Sequence, residues 1–132
     1  MNVDDLVAID VHTHAEISAD GHPSLPDHLM AGSAAYFNVD GSRTPTLPDI
    51  AAYYRERRMA AVVFTVDSET ATGHPPIPNE EIAEACTEHP DVLIPFASVD
   101  PWRGKAAEAS TTIARRSRIA EPVPRRTICC NR

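Results

Sequence analysis

No stretch of this 132-residue chain approaches the apolar length needed to cross a bilayer, and its first residues, Met1-Asn2-Val3-Asp4-Asp5, are acidic. Neither a membrane span nor a secretory leader is therefore expected, and the expected address is cytoplasmic. Cysteine is scarce: there are three, two of them adjacent at Cys129-Cys130. That number and spacing exclude a disulfide framework and a zinc ribbon, which needs two spaced pairs. Basic residues are outnumbered, with a formal net charge of −7. An acidic surface disfavours nucleic acid and anionic membrane as partners. No glycine-rich phosphate loop follows the first apolar segment, which weakens a flavodoxin-like binding module.

The charge is unevenly spread. Residues 1–109 carry 18 Asp and Glu against 6 Lys and Arg, a balance of −12, whereas residues 110–132 carry only Glu121 against six arginines, a balance of +5. The latter segment also holds Pro122, Pro124 and the cysteine pair, without a sustained helical or strand period. A block of like charge reads as a disordered interaction tail.

What is present is an alternation of apolar runs and helical stripes. Residues 6–11 read as a strand buried on both faces, being short, apolar and barely alternating. Residues 15–45 form a long connection, with a short helix between Pro26 and Phe37 and a turn at Asp40-Gly41. Thr46 is the expected N-cap of a helix running through Ile50, Tyr53 and Tyr54 to Arg57-Arg58. Residues 59–66 are a second buried strand, and Asn79 is the expected cap of a helix whose apolar stripe is Ile82, Ala85 and Cys86. Residues 92–99 form a third strand despite Pro95, and a further helix opens over residues 105–109. Strand, helix, strand, helix, strand, helix predicts an α/β fold with parallel strands in the order 1-2-3. The helices at 46–58 and 79–89 then share one face of the sheet.

The chemistry concentrates at His12-Thr13-His14, which closes the first strand. Residues two apart on a strand face the same way, so both imidazoles are expected at one spot past the strand's end. Neutral imidazole suits zinc and neighbouring transition metals, and two at this spacing make half of a metal site. Asp10 has the same parity and is expected one layer below, as an orienting partner or a buried structural hydrogen bond. Asp67, Ser98 and Asp100 end the other two strands, where loop capping competes with catalysis. His22, His28 and His74 lie in connections that could fold over the site. His89 sits at a helix end, Cys86 reads as core, and Tyr36, Phe37 and Trp102 could line a pocket mouth. Catalytic zinc usually takes three protein ligands, and no third is evident on another strand.

The stretch Ile9-Asp10-Val11-His12-Thr13-His14, together with Ile50-Ala51-Ala52-Tyr53-Tyr54-Arg55-Glu56-Arg57, Phe64-Thr65-Val66-Asp67-Ser68-Glu69 and Ile94-Pro95-Phe96-Ala97-Ser98-Val99-Asp100-Pro101, resembles the amidohydrolase superfamily. The likeness is to its amidohydrolase-related branch, which includes aminocarboxymuconate-semialdehyde decarboxylase-like enzymes, and it covers about residues 5–109. The resemblance implies the N-terminal part of a (β/α)₈ barrel, about three βα units, with a divalent metal, usually zinc, at its carboxyl end. It implies His12 and His14 as metal ligands. The family's later ligands, a histidine from a middle strand and an aspartate from the last, have no counterpart. Residues 1–109 thus read as a partial domain. The change at 110–132 gains a second reading, translation in an altered frame of a truncated gene.

Two functions follow as expectations. One is a metal-dependent hydrolase or decarboxylase of a small organic substrate, incomplete and weakly active or inactive as this chain. The other is a non-catalytic βα fragment that forms homo-oligomers through open sheet edges.

Overall fold

Each of the three apolar runs forms a strand, and the strands pair in chain order. The computed structural model describes residues 1–38, 44–105 and 107. In it β1 (Ala8–His14), β2 (Met59–Phe64) and β3 (Leu93–Pro95) form one parallel sheet in the order β1-β2-β3. The first pairing runs from Ala8 opposite Met59 to His14 opposite Phe64, and the second sets Ala61, Val62 and Val63 opposite Leu93, Ile94 and Pro95. The predicted basic segment 110–132, the Asp40-Gly41 turn and all but two residues of the helix expected over 105–109 lie outside the described residues.

Among the described residues, helices α1 (Asp27–Phe37), α2 (Leu47–Glu56), α3 (Glu69–Thr72) and α4 (Asn79–Glu88) connect and follow the strands. Thr46 caps α2 as predicted. Its hydroxyl accepts from the Asp49 amide while the Asp49 carboxylate accepts from the Thr46 amide, which satisfies two otherwise orphaned donors. Arg57 and Arg58 lie just beyond α2 rather than in it, and Arg58 adopts a left-handed conformation that turns the chain into β2.

A single core joins α2 and α4 to one face of the sheet. Leu47, Ile50, Ala51 and Tyr54 of α2 and Ile82 and Cys86 of α4 pack with Ala61 and Val63 of β2 and Leu93 of β3. Both helices therefore lie on the same side, as the alternation requires. Helix α1 buries no residue.

The structure corrects four expectations. The first strand starts at Ala8 instead of Leu6 and continues through both histidines. Nor is it covered on both faces: Val7 and Val11 are each 71% exposed and Ile9 41%. A continuous apolar run identifies a strand but cannot report how many faces are covered, and here the helices cover one. Pro78, not Asn79, precedes α4 as its cap. Asn79 instead clamps the chain after β3, accepting from the Ser98 amide at 3.0 Å and donating to the Ser98 carbonyl at 2.8 Å. Those bonds divert the backbone from the ladder, and Pro95 has no amide to give it, so β3 is three residues long where residues 92–99 were expected.

The uneven covering has a measurable consequence. Ile82 is fully buried between the sheet and α4. Ile82→Ala should lower the unfolding free energy by about 3 kcal/mol, within the usual range for core truncations. Val11→Thr on the open strand should change it by less than about 0.5 kcal/mol. Urea unfolding followed by circular dichroism distinguishes the two.

Candidate functional site

Between Asp10 and Thr13 the pairing of β1 slips. Asp10 stands opposite Ala61 and Thr13 opposite Val63, so three steps on β1 match two on β2. That is a β-bulge, with one extra residue in β1. Asp10 and Thr13 consequently face the same side, toward α2, where both meet the Tyr54 hydroxyl. His12 and His14 face the other way. Their ring centroids are 4.7 Å apart, and both rings lie against Phe64, at 5.4 and 4.8 Å. Phe64 alternates with core-facing Val63 and so belongs to the face away from α2 and α4, the helix-free face among the described residues.

The two predicted ligands are thus brought together, but they lie within the strand and on the side opposite Asp10. The expected shared parity of Asp10 with the histidines fails because the bulge inserts a residue between them. Asp10 still bears on His12, by its backbone: the His12 amide donates to Asp10 Oδ1 at 2.9 Å. Tyr54 Oη donates to Asp10 Oδ2 at 2.7 Å. An ionised carboxylate only accepts, so the tyrosine proton lies toward Asp10 and Thr13 Oγ1, 3.1 Å away, is the donor to Tyr54.

The charges follow from these contacts. The Tyr54 hydroxyl, then the His12 amide, hold the Asp10 carboxyl below the usual carboxylate range. Burial, with Asp10 adding to it, pushes the Tyr54 phenol up. Burial and then neighbouring His12 hold His14 below the ordinary histidine value, which favours the neutral imidazole whose lone pair can bind a metal.

The remaining candidates take other roles. Asp67 and Asp100 organise loops: the Asp100 amide donates to Asp67 Oδ2, Asp100 accepts from the Thr70 and Trp102 amides, and Asp67 accepts from Arg103. Arg103 also pairs with Glu69. The Ser98 hydroxyl accepts from the Asp67 amide, tying the ends of β2 and β3 together. His22 and His74 fold onto each other. Their rings stack at 4.8 Å, and each Nε2 lies 2.8 Å from a proline carbonyl of the other loop, Pro75 and Pro23. His28 lies on exposed α1, and His89 terminates α4. Tyr36, Phe37 and Trp102 are exposed. Glu16 accepts from the Ser24 hydroxyl at 3.1 Å.

Sequence reasoning missed Tyr54 and Thr13 as parts of this arrangement. Tyr54 stood in the apolar stripe of α2, and only its hydroxyl, invisible to periodicity, marks the second role. Among the described residues no group of three or more His, Cys, Asp or Glu side chains is placed to hold a metal ion. The described helices include none long and apolar enough to cross a membrane. No family model, no curated protein and no solved structure matches the chain.

Two measurements check the electrostatics. Because the folded-state value of His14 is depressed, the unfolded chain binds its proton more readily. Stability is therefore fully present above the ordinary histidine value of about 6.5 and is lost as pH falls below it. His14→Gln should flatten the fall of the thermal midpoint across that range. Cys86, buried in the core, has its thiol pushed up to about 11. Native protein should leave Cys86 unalkylated by iodoacetamide near pH 8, and urea should make it reactive.

Proposed function

We propose that the described residues are the first βα units of an amidohydrolase-related (β/α)₈ barrel, and that His12 and His14 are its first-strand metal ligands. The observation that carries this reading is the histidine pair, 4.7 Å between rings, near the carboxyl end of a parallel strand and on its helix-free face. In a barrel the helices surround the outside, and the opposite face, here carrying Val62, Phe64 and the histidines, is the interior. Three parallel neighbours with both packed helices on one side support that architecture.

The donor set fits zinc as a partial site. Two imidazoles supply nitrogen ligands, and His14 is held toward its neutral form. A bound divalent ion would polarise a substrate carbonyl or carboxylate, or activate water, in a hydrolase or decarboxylase of a small organic molecule. The chain's own part is to set two ligands at fixed spacing against the Phe64 ring. Two ligands are fewer than the three that catalytic zinc takes, so affinity is weak and hydrolytic or decarboxylating turnover is not expected of these residues alone.

A second reading has its own observation. Val7, Ile9 and Val11 are exposed along a strand that pairs on one side only among the described residues, which favours homo-oligomers of a non-catalytic fragment.

Calorimetric titration with zinc should give weak binding that disappears in the His12→Ala/His14→Ala double variant. Tight stoichiometric binding that survives the double substitution would sink the assignment. Light scattering over a concentration series addresses the second reading: association should be reduced by Val11→Lys, and a concentration-independent monomer would dismiss it.

A further inference from the structure

We propose that Tyr54 is a positioning residue for the histidine pair: acting through Asp10 and Thr13, it holds the β1 bulge that turns His12 and His14 onto the helix-free face. In a regular strand, alternation from Asp10 would send His12 and His14 to the side of Asp10, into α2 and the core. The extra residue reverses this, and Val11, 71% exposed, has no packing of its own to hold the bulge in place.

What spans the irregularity is polar. Asp10 and Thr13, the two paired positions that flank it, both hydrogen-bond to the one Tyr54 hydroxyl, at 2.7 and 3.1 Å. Asp10 Oδ1 meanwhile takes the His12 amide, a donor inside the bulge that the β2 ladder does not engage in register. Tyr54 is itself fixed, buried in the same core cluster as Ala51, Ala61 and Val63 and two turns from the capping box that starts α2. The hydroxyl is thus a rigid post carried by a helix, and the bulge is fastened to it on both sides. Thr13 donates to Tyr54 and Tyr54 to Asp10, while the His12 amide donates to the other Asp10 oxygen, so the donors converge on one carboxylate from both sides of the bulge.

The consequence for metal binding rests on the function proposed above, whereas the placement of the rings does not, and the experiment separates them. Nuclear Overhauser contacts from the His12 and His14 ring protons to the Phe64 ring, which report the face the pair occupies, are measured in metal-free protein for the wild type, Tyr54→Phe, Asp10→Ala and Asp10→Asn. Zinc affinity is measured calorimetrically on the same four proteins. Tyr54→Phe keeps the ring and the core, so the amide spectrum should stay dispersed while the contact of the histidine rings with Phe64 weakens. Asp10→Ala should lose the contact. Asp10→Asn should retain it, because an amide oxygen still accepts from His12 and the amide nitrogen can donate to Tyr54. A role limited to fold stability would not separate Asn from Ala in this way. Zinc affinity should fall about tenfold in Tyr54→Phe and Asp10→Ala, the scale seen when partners of metal ligands are removed. Unchanged ring contacts in Tyr54→Phe overturn the proposal, as does an Asp10→Asn spectrum that matches Asp10→Ala. If Asp10→Ala does not fold, Tyr54→Phe decides. Ring contacts that respond as expected in a protein whose wild type binds no zinc leave Tyr54 as the positioning residue and refute the metal reading alone.

Discussion

The Asp10 carboxylate accepts two hydrogen bonds, one from a helix side chain and one from the backbone of its own strand. That double acceptance connects the hydrophobic core to the candidate site, which otherwise touch different faces of the sheet. On one side stand α2, α4 and the apolar residues that supply the folding energy. On the other stand two imidazoles and Phe64. Only a strand whose alternation is interrupted can serve both faces in this order, with Asp10 and Thr13 turned inward and the histidines outward. The interruption is a local irregularity, and it survives because a carboxylate, a phenol and a hydroxyl satisfy one another across it.

Much of this architecture was legible from residue order. The apolar runs marked three strands, Thr46 marked the start of α2, and the alternation of elements placed both helices on one face. These signals are local, or follow from the handedness and length of crossovers. The pairing of His12 with His14 was also legible, since a spacing of two survives any event upstream of His12. Which face the pair occupies was not. Parity counts residues, and a bulge between Asp10 and His12 changes the count without changing the composition of the run. The short β3 escaped for a related reason. Asn79, the residue that draws Ser98 off the ladder, is 19 positions away in sequence and carried the signature of a helix cap. The histidine stack likewise joins residues from two separate connections, which no local pattern links.

The loops at the carboxyl edge are fastened to one another. Asp67, Ser98, Asp100 and Arg103 knit the segments after β2 and β3, and His22 and His74 knit those after β1 and α3 through reciprocal bonds to proline carbonyls. Proline carbonyls accept without a competing amide on the same residue, and the aromatic stack gives each pair of bonds a fixed orientation. Ala19 adds a bond from its amide to Glu81 on α4, so the long connection after β1 is held at several points along its length. Such cross-loop ties give an edge made of irregular backbone the rigidity that helices and strands obtain from repetition.

The bulge also changes what β1 offers to another chain. A strand that pairs on one side presents a row of amides and carbonyls, and an evenly spaced row is a template for an added strand. In β1 the row is broken between Asp10 and Thr13, and the bend that accompanies a bulge throws the two parts out of line. What remains is two short stretches, neither long enough by itself for a lasting ladder. Among the described residues the irregularity that aims the histidines is therefore also a guard on the unpaired edge of β1, so that association of this strand would run through its exposed valines and isoleucine and not by strand-by-strand growth.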